Sequence, residues 1–179
     1  MKAIRIHEFG GPEVLKYEDV PEPKPGNGEI RIKIIAAGVN PMDWKVRRGY
    51  ISSLHLPTIM GSDVAGTVDM VGQGEASFQP GDEVFAKVAI DKGGYAEYTI
   101  ARTSEMALKP KSIGFIESAS IPTAGLAAWQ SIFDLAGLEK GQSILIHGAA
   151  GGVGTFAVQF AKWKERTLLV LHLIKIRNS

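Results

Sequence analysis

The sequence predicts an α/β protein with a mainly β N-terminal part: a barrel or sandwich of short strands, then the opening of a doubly wound parallel sheet. Three observations carry this. Up to about residue 110, short alternating stretches recur between glycine-rich turns. Near residue 115 the chain becomes rich in alanine and leucine. Then "QSILIHGAAGGVGTFAVQFAKWK" (142–164) reads strand, glycine turn, helix, the order that opens a βαβ unit. The domains expected are 1–120 and 121–179.

The elements follow in order. "KAIRIH" (2–7) alternates, "VLKYEDV" (14–20) follows a Gly-Pro turn, and "EIRIKIIAAG" (29–38) alternates before turning fully apolar. "PEPKPGNG" (21–28) is a loop, because its prolines block regular pairing. "NPMDWKVRRG" (40–49) predicts a short helix with Asn40 as N-cap, Pro41 at the first helical position and Gly49 as its stop. Short strands are expected at "DVAGTVDMVG", "GDEVFAKVA" and "GYAEYTI". "FIESASIPTAGLAAWQSIFDLAGL" predicts one or two helices ending at Gly137, with Trp129, Phe133, Phe156 and Phe160 as core.

Composition excludes several functions. The formal charge is +1 and the basic residues are scattered, which argues against a nucleic-acid or membrane-surface partner. With no cysteine there are no disulfides, no thiolate catalysis and no cysteine-bound zinc. "MKAIRIHEFGG" lacks the apolar core of a signal peptide, and "LLVLHLI" is too short to span a bilayer. A soluble cytoplasmic protein is expected.

The stretch "ILIHGAAGGVG" carries the chemistry. Ile144, Leu145 and Ile146 form the apolar run of a buried parallel strand. Gly148, Gly151, Gly152 and Gly154 crowd the turn, with Ala150 and Val153 among them. Glycines there let the backbone turn sharply and let a pyrophosphate approach the amides of a helix start, where the dipole favours negative charge.

"AAGVNPMDWK", "GSDVAGTV", "PGDEVFA", "GGYAEY", "IPTAGLAAWQSI" and "ILIHGAAGGVG" occur in the order and spacing of one family. Over about residues 1–164 the chain resembles the medium-chain dehydrogenase/reductase superfamily, in its zinc-independent, zeta-crystallin-like quinone oxidoreductase branch. The resemblance implies a GroES-like partly open β-barrel on the substrate side and an incomplete Rossmann domain binding NADPH, with the active site in the cleft between. It implies hydride transfer from NADPH to a quinone or activated alkene. The alternatives are a 2-enoyl thioester or alkenal reductase and a non-catalytic binding module. Proteins of this branch commonly pair through the cofactor domain, but the strand surface they use is missing from this sequence, so a homodimer is expected here only through the uncovered apolar edges.

Zinc alcohol dehydrogenases of the superfamily place cysteine where this chain has Asn40, histidine where it has Ser62, and a third ligand near Thr123. None of those ligands is present, and His7, His55, His147 and His172 show no ligand spacing, so no metal is expected. Asp63 matches an acid near that metal and is read as structural.

The resemblance also assigns site residues. Asn40 matches an asparagine facing the nicotinamide, Asp43 supports the helix start beside it, and Trp44 walls the substrate pocket, with Tyr50 a second aromatic. Lys45 stands where many relatives carry a cofactor-contacting tyrosine. Ala127 replaces a cofactor-binding threonine, for which Thr123, one turn earlier, substitutes in part. Gly148, Ala150, Gly151, Gly152, Val153 and Gly154 line the pyrophosphate. No nucleophile or general acid stands out, which suits a reaction where the cofactor supplies the hydride and the protein positions and polarises.

The stretch after Lys164 departs from the family. It lacks glycine, and no acid follows Glu165 to bind an NAD-type ribose. Written in ordinary codons and shifted by one base, it reads Gly-Ala-His-Val-Ile-Gly-Thr-Ala-Ser-Tyr-Lys, a family-like strand. The expectation is a frameshifted tail on a truncated cofactor domain, exposed sheet edges, weak or absent NADPH binding and no turnover.

Overall fold

The structure, a computed structural model of the chain, describes residues 1–51 and 54–164 and, as backbone only, 167–171. It divides into two compact units, Met1–Thr123 and Ala124–Ser179.

The first unit is built on antiparallel sheets. β3 (Glu29–Ala37) lies between β5 (Asp63–Val71) and β7 (Tyr98–Arg102), and β6 (Glu83–Lys87) and β8 (Met106–Leu108) extend the sheet in the order β7-β3-β5-β6-β8. β1 (Lys2–Ile6) pairs with β2 (Lys16–Asp19) and with the two-residue β4 (Thr58–Ile59). Residues 95–97 stitch the two sheets together: the Ile4 N–H donates to the Tyr95 carbonyl (2.8 Å) and the Ile34 N–H to the Glu97 carbonyl (2.9 Å). The outcome is a curled, partly open half-barrel.

Alternation explains the core. Ile30 and Ile32 point inward with Val64, Val68, Val84, Ala86, Val88 and Ala101, while Arg31 turns out to pair with Asp69 at 2.6 Å. A second cluster of Ile6, Val14, Val46 and Met60 seats α1 (Pro41–Arg47) on the smaller sheet. The strand expected at "GYAEYTI" starts only at Tyr98, because 95–97 serve the junction with β1 and β3.

α2 (Phe115–Ala119) and α3 (Pro122–Trp129) cover the expected helical stretch, and a π-helical turn at Gln130–Leu135 closes it before Gly137. In the second unit, α4 (Gly152–Trp163) lies against β9 (Ser143–His147). Ala128, Ile132, Ile146 and Ala157 are buried there with Phe133, Phe156 and Phe160 packed against them. Trp129, expected in the core, is instead exposed at its edge, where it meets Phe133 edge-on at 4.7 Å and Phe160 at 5.5 Å.

Two expectations change. Leu145 is half exposed, since alternation turns it away from the α4 face that takes Ile144 and Ile146; β9 is buried on one side only. A further strand, β10 (Thr167–Leu171), runs parallel to β9 in the register Leu168–Ile144, where no element was expected after α4. Its backbone satisfies one edge of β9 that would otherwise present unpaired groups. Residues 165, 166 and 172–179, on which the shifted-frame reading also rests, lie outside the described residues. Among the described residues, no helix is long and apolar enough to cross a membrane.

Candidate functional site

α1 starts as its sequence dictates. Asn40 is extended (φ −119°, ψ 157°), Pro41 fixes the first helical φ, and the Asp43 carboxylate accepts the Asn40 N–H at 2.6 Å. The acid in the first turn also suits the positive end of the helix. The Asn40 side chain has a second partner: its Nδ2 donates to Asp63 Oδ2 at 2.9 Å.

Asp63 is the hub of the site. It opens β5, is 1% exposed, and accepts three hydrogen bonds. Besides Asn40, Thr123 gives it both its backbone N–H (3.0 Å to Oδ2) and its hydroxyl (2.6 Å to Oδ1). The Thr123 hydroxyl thus spends its proton on Asp63, because a buried carboxylate is costly unless its lone pairs are filled, and keeps only its oxygen as an acceptor towards the cofactor that the resemblance assigns to it.

Asp43 is the second buried carboxylate, and the Tyr95 hydroxyl donates to its Oδ2 at 2.8 Å. Burial pushes the Asp43 carboxyl above its ordinary range; its hydrogen bonds oppose this, and the nearby charge of Asp63 adds to it. Burial and the bond to Asp43 together hold the Tyr95 phenol well above its usual value, so it stays a donor. Gly61, at φ +84°, leaves room for this ring, since a Cβ there would run into it.

Sequence reasoning missed Tyr95. Its only local sign is the Gly93-Gly94 turn before it, which says nothing of a partner 52 residues away. Trp44, Lys45 and Tyr50 lie on the exposed side of the same turn. Trp44 meets Tyr50 edge-on at 5.8 Å, and the Lys45 and Arg48 cations lie over the indole at 5.8 and 5.6 Å. Met42 and Val39 are exposed beside them, giving an apolar rim around Asn40.

In the second unit the glycine loop forms its own group. Gly148 sits at φ +66°, and its carbonyl accepts the Gly151 N–H at 2.8 Å. Gly154 is buried against Gly148 and Ala149, where any Cβ would strike the backbone, so the helix can approach the loop only with glycine there. Ala150, Gly151, Gly152 and Val153 are exposed. The N-cap Gly151 supplies no side-chain acceptor, and the first turn of this twelve-residue helix carries no acid. First-turn amides have no intrahelical acceptor, so what these residues offer fits a pyrophosphate. Among the described residues, no group of three or more His, Asp and Glu side chains is placed to hold a metal ion.

Comparison with known proteins gives a consistent result. Residues 26–111 match the alcohol dehydrogenase GroES-like domain. Human quinone oxidoreductase is 41% identical over 164 residues, covering 90% of this chain and 50% of that protein. Among solved structures, the quinone oxidoreductase from Coxiella burnetii superposes with a TM-score of 0.83 at 36% identity, over 95% of this chain and 56% of that one. The mycobacterial protein Rv1454c complexed with NADPH superposes with a TM-score of 0.87 at 35% identity, over 98% of this chain and 54% of that one. The chain spans about half the length of the curated relatives it matches. Sequence, half-barrel and glycine loop therefore agree: the chain belongs to the medium-chain dehydrogenase/reductase superfamily, with the quinone oxidoreductases as the group it resembles.

Proposed function

We propose that this chain carries the substrate-side half-barrel and the pyrophosphate loop of a zinc-independent hydride transfer from NADPH to a quinone or activated alkene. The observation that supports this most is the loop from Gly148 to Gly154, where the buried Gly154 lets α4 start hard against the turn. An NADPH-bound solved structure among its likenesses supports the choice of nucleotide.

Each residue has a role in that reading. NADPH, when bound, supplies the hydride. Gly152 and Val153 offer free first-turn amides to its pyrophosphate, while Gly151, whose N–H is held by the Gly148 carbonyl, shapes the turn with Gly148 and Ala150. Asn40 faces the reacting end, Asp43 holds the start of its helix, and Thr123 holds Asp63 beside it. Trp44 offers a flat apolar wall, and Lys45, stacked on that indole, offers a cation at the rim. The protein orients the acceptor, the second N–H of the Asn40 amide is the neutral donor left to polarise its carbonyl, and the proton that follows the hydride comes from water.

The test is a fluorescence titration of the chain with NADPH and with NADH, beside a panel of quinones, alkenals and 2-enoyl thioesters. Expected are a preference for NADPH and loss of binding in Gly154→Val. Binding that is unchanged by that substitution would remove the loop from the reading.

A further inference from the structure

We infer that Asp63 is the positioning residue of this site: its buried carboxylate sets the orientation of the Asn40 amide and pins the start of α3 through Thr123. The inference rests on the reading above in so far as Asn40 faces a ligand. The clamp itself is visible in the chain's own residues.

Three features make Asp63 a clamp rather than a passive core acid. Its donors come from two distant places, 23 and 60 residues along the chain, so one carboxylate ties the starts of α1, β5 and α3 together. All three donors are neutral: one amide N–H, one backbone N–H and one hydroxyl. No Lys or Arg forms an ion pair with Asp63 among the described residues. A carboxylate that is 1% exposed and has no cation depends wholly on such hydrogen bonds, and each lost donor leaves a charged lone pair buried and empty.

The consequence for Asn40 is geometric. A primary amide can turn over and exchange its oxygen and nitrogen at small cost when its surroundings are indifferent. Here the turned-over amide would set its oxygen against the Asp63 oxygen, two acceptors facing each other. The carboxylate therefore selects one amide orientation before any ligand arrives. The backbone of Asn40 is fixed from the other side, where its N–H meets Asp43 at 2.6 Å. Asn40 is held at main chain and side chain by two acids that are themselves placed by Tyr95 and Thr123. Thr123 thus acts through Asp63, and so does the α3 start that carries it.

Amide hydrogen exchange on the unmodified, 15N-labelled chain tests the clamp without any cofactor. Asn27, which is exposed, supplies the reference side-chain amide. The Asn40 side-chain proton is expected to exchange at least about tenfold more slowly than that of Asn27, and Asp63→Ala, which removes both acceptor oxygens, is expected to bring the two together. Equal exchange of Asn40 and Asn27 in the unmodified chain would overturn the clamp, and that measurement stands even where Asp63→Ala fails to fold. Unchanged protection of Asn40 in a folded Asp63→Ala variant would overturn it too. Asp63→Asn supplies the conservative comparison, because its amide oxygen can still accept from Asn40 Nδ2 and the Thr123 N–H while the Thr123 hydroxyl turns to accept. It is expected to keep more of the Asn40 protection than Asp63→Ala; equal loss in the two variants would contradict the pairing. NADPH titrated into the same unmodified sample separates the two readings. Loss of the nucleotide reading with Asn40 still protected would overturn the proposed function and support the clamp.

Discussion

Tyr95 donates its hydroxyl to Asp43 across 52 residues of sequence, joining the segment that stitches the two sheets to the first turn of α1. The bond at 2.8 Å ends on a buried carboxylate that also caps its own helix. Fold and site therefore share one polar core, and a change at either residue is felt by both.

Tyr95→Phe removes the donor and leaves that carboxylate oxygen one partner short. A cost of about 1–3 kcal/mol is expected, the usual penalty for a buried acceptor left unmet. Tyr50→Phe, on the exposed side of the same turn, is expected to stay within about 0.5 kcal/mol. Urea denaturation followed by circular dichroism measures both, and equal effects would show that the Asp43 bond does not hold in solution.

Asp43 gives a pH dependence whose sign is fixed. Burial raises its carboxyl above the ordinary value of 3.8, so the folded state holds this proton more tightly than the unfolded one. Its contribution is complete below that value and is lost as pH rises through the raised one. Stability profiles of the chain and of Asp43→Asn, measured across acid pH, should differ by a component that falls with rising pH in the unmodified chain and is absent in the variant. A difference that rises with pH would reverse the assignment.

Gly61→Ala combines a positive-φ backbone with a Cβ driven into the Tyr95 ring. The expected cost is about 1–3 kcal/mol or more, and the ring must move off Asp43. Adding Tyr95→Phe on top should then cost less than it does alone, because its hydrogen bond is already lost. Simple additivity would place Gly61 outside this contact.

Ile32→Ala opens the centre of the half-barrel, where the side chain is fully buried among Val64, Val84 and Val88. About 2–5 kcal/mol is expected, measured by the same urea transitions.

How much of this was legible beforehand varies by residue. Local order was: the Asn40-Pro41-Met42-Asp43 start of α1, the alternation of β3 and the strand–glycine–helix order from Ser143 to Trp163 all depend on neighbours in sequence. The two-residue β4 has no periodicity to read, and β10 lies in the stretch after Lys164 that departs from the family and so offered no motif to place it. The site was legible only in outline. Asn40, Asp43 and Thr123 were picked out, but their bonds run to Asp63 and Tyr95, 23 to 60 residues distant. An asparagine before a helix looks like a side-chain cap from sequence; only the fold reveals that its amide N–H also has an acceptor within reach, the buried Asp63 carboxylate.

The most direct measurement is an NADPH titration followed through the backbone amide resonances of the 15N-labelled chain. Graded, saturable shifts concentrated on Gly148 and on the amides of Gly151, Gly152, Val153 and Gly154 are predicted, and the same titration of Gly154→Val should show none. Shifts that are absent at saturating nucleotide, or that fall away from this loop and persist in Gly154→Val, would contradict the proposal that this loop holds the pyrophosphate of NADPH.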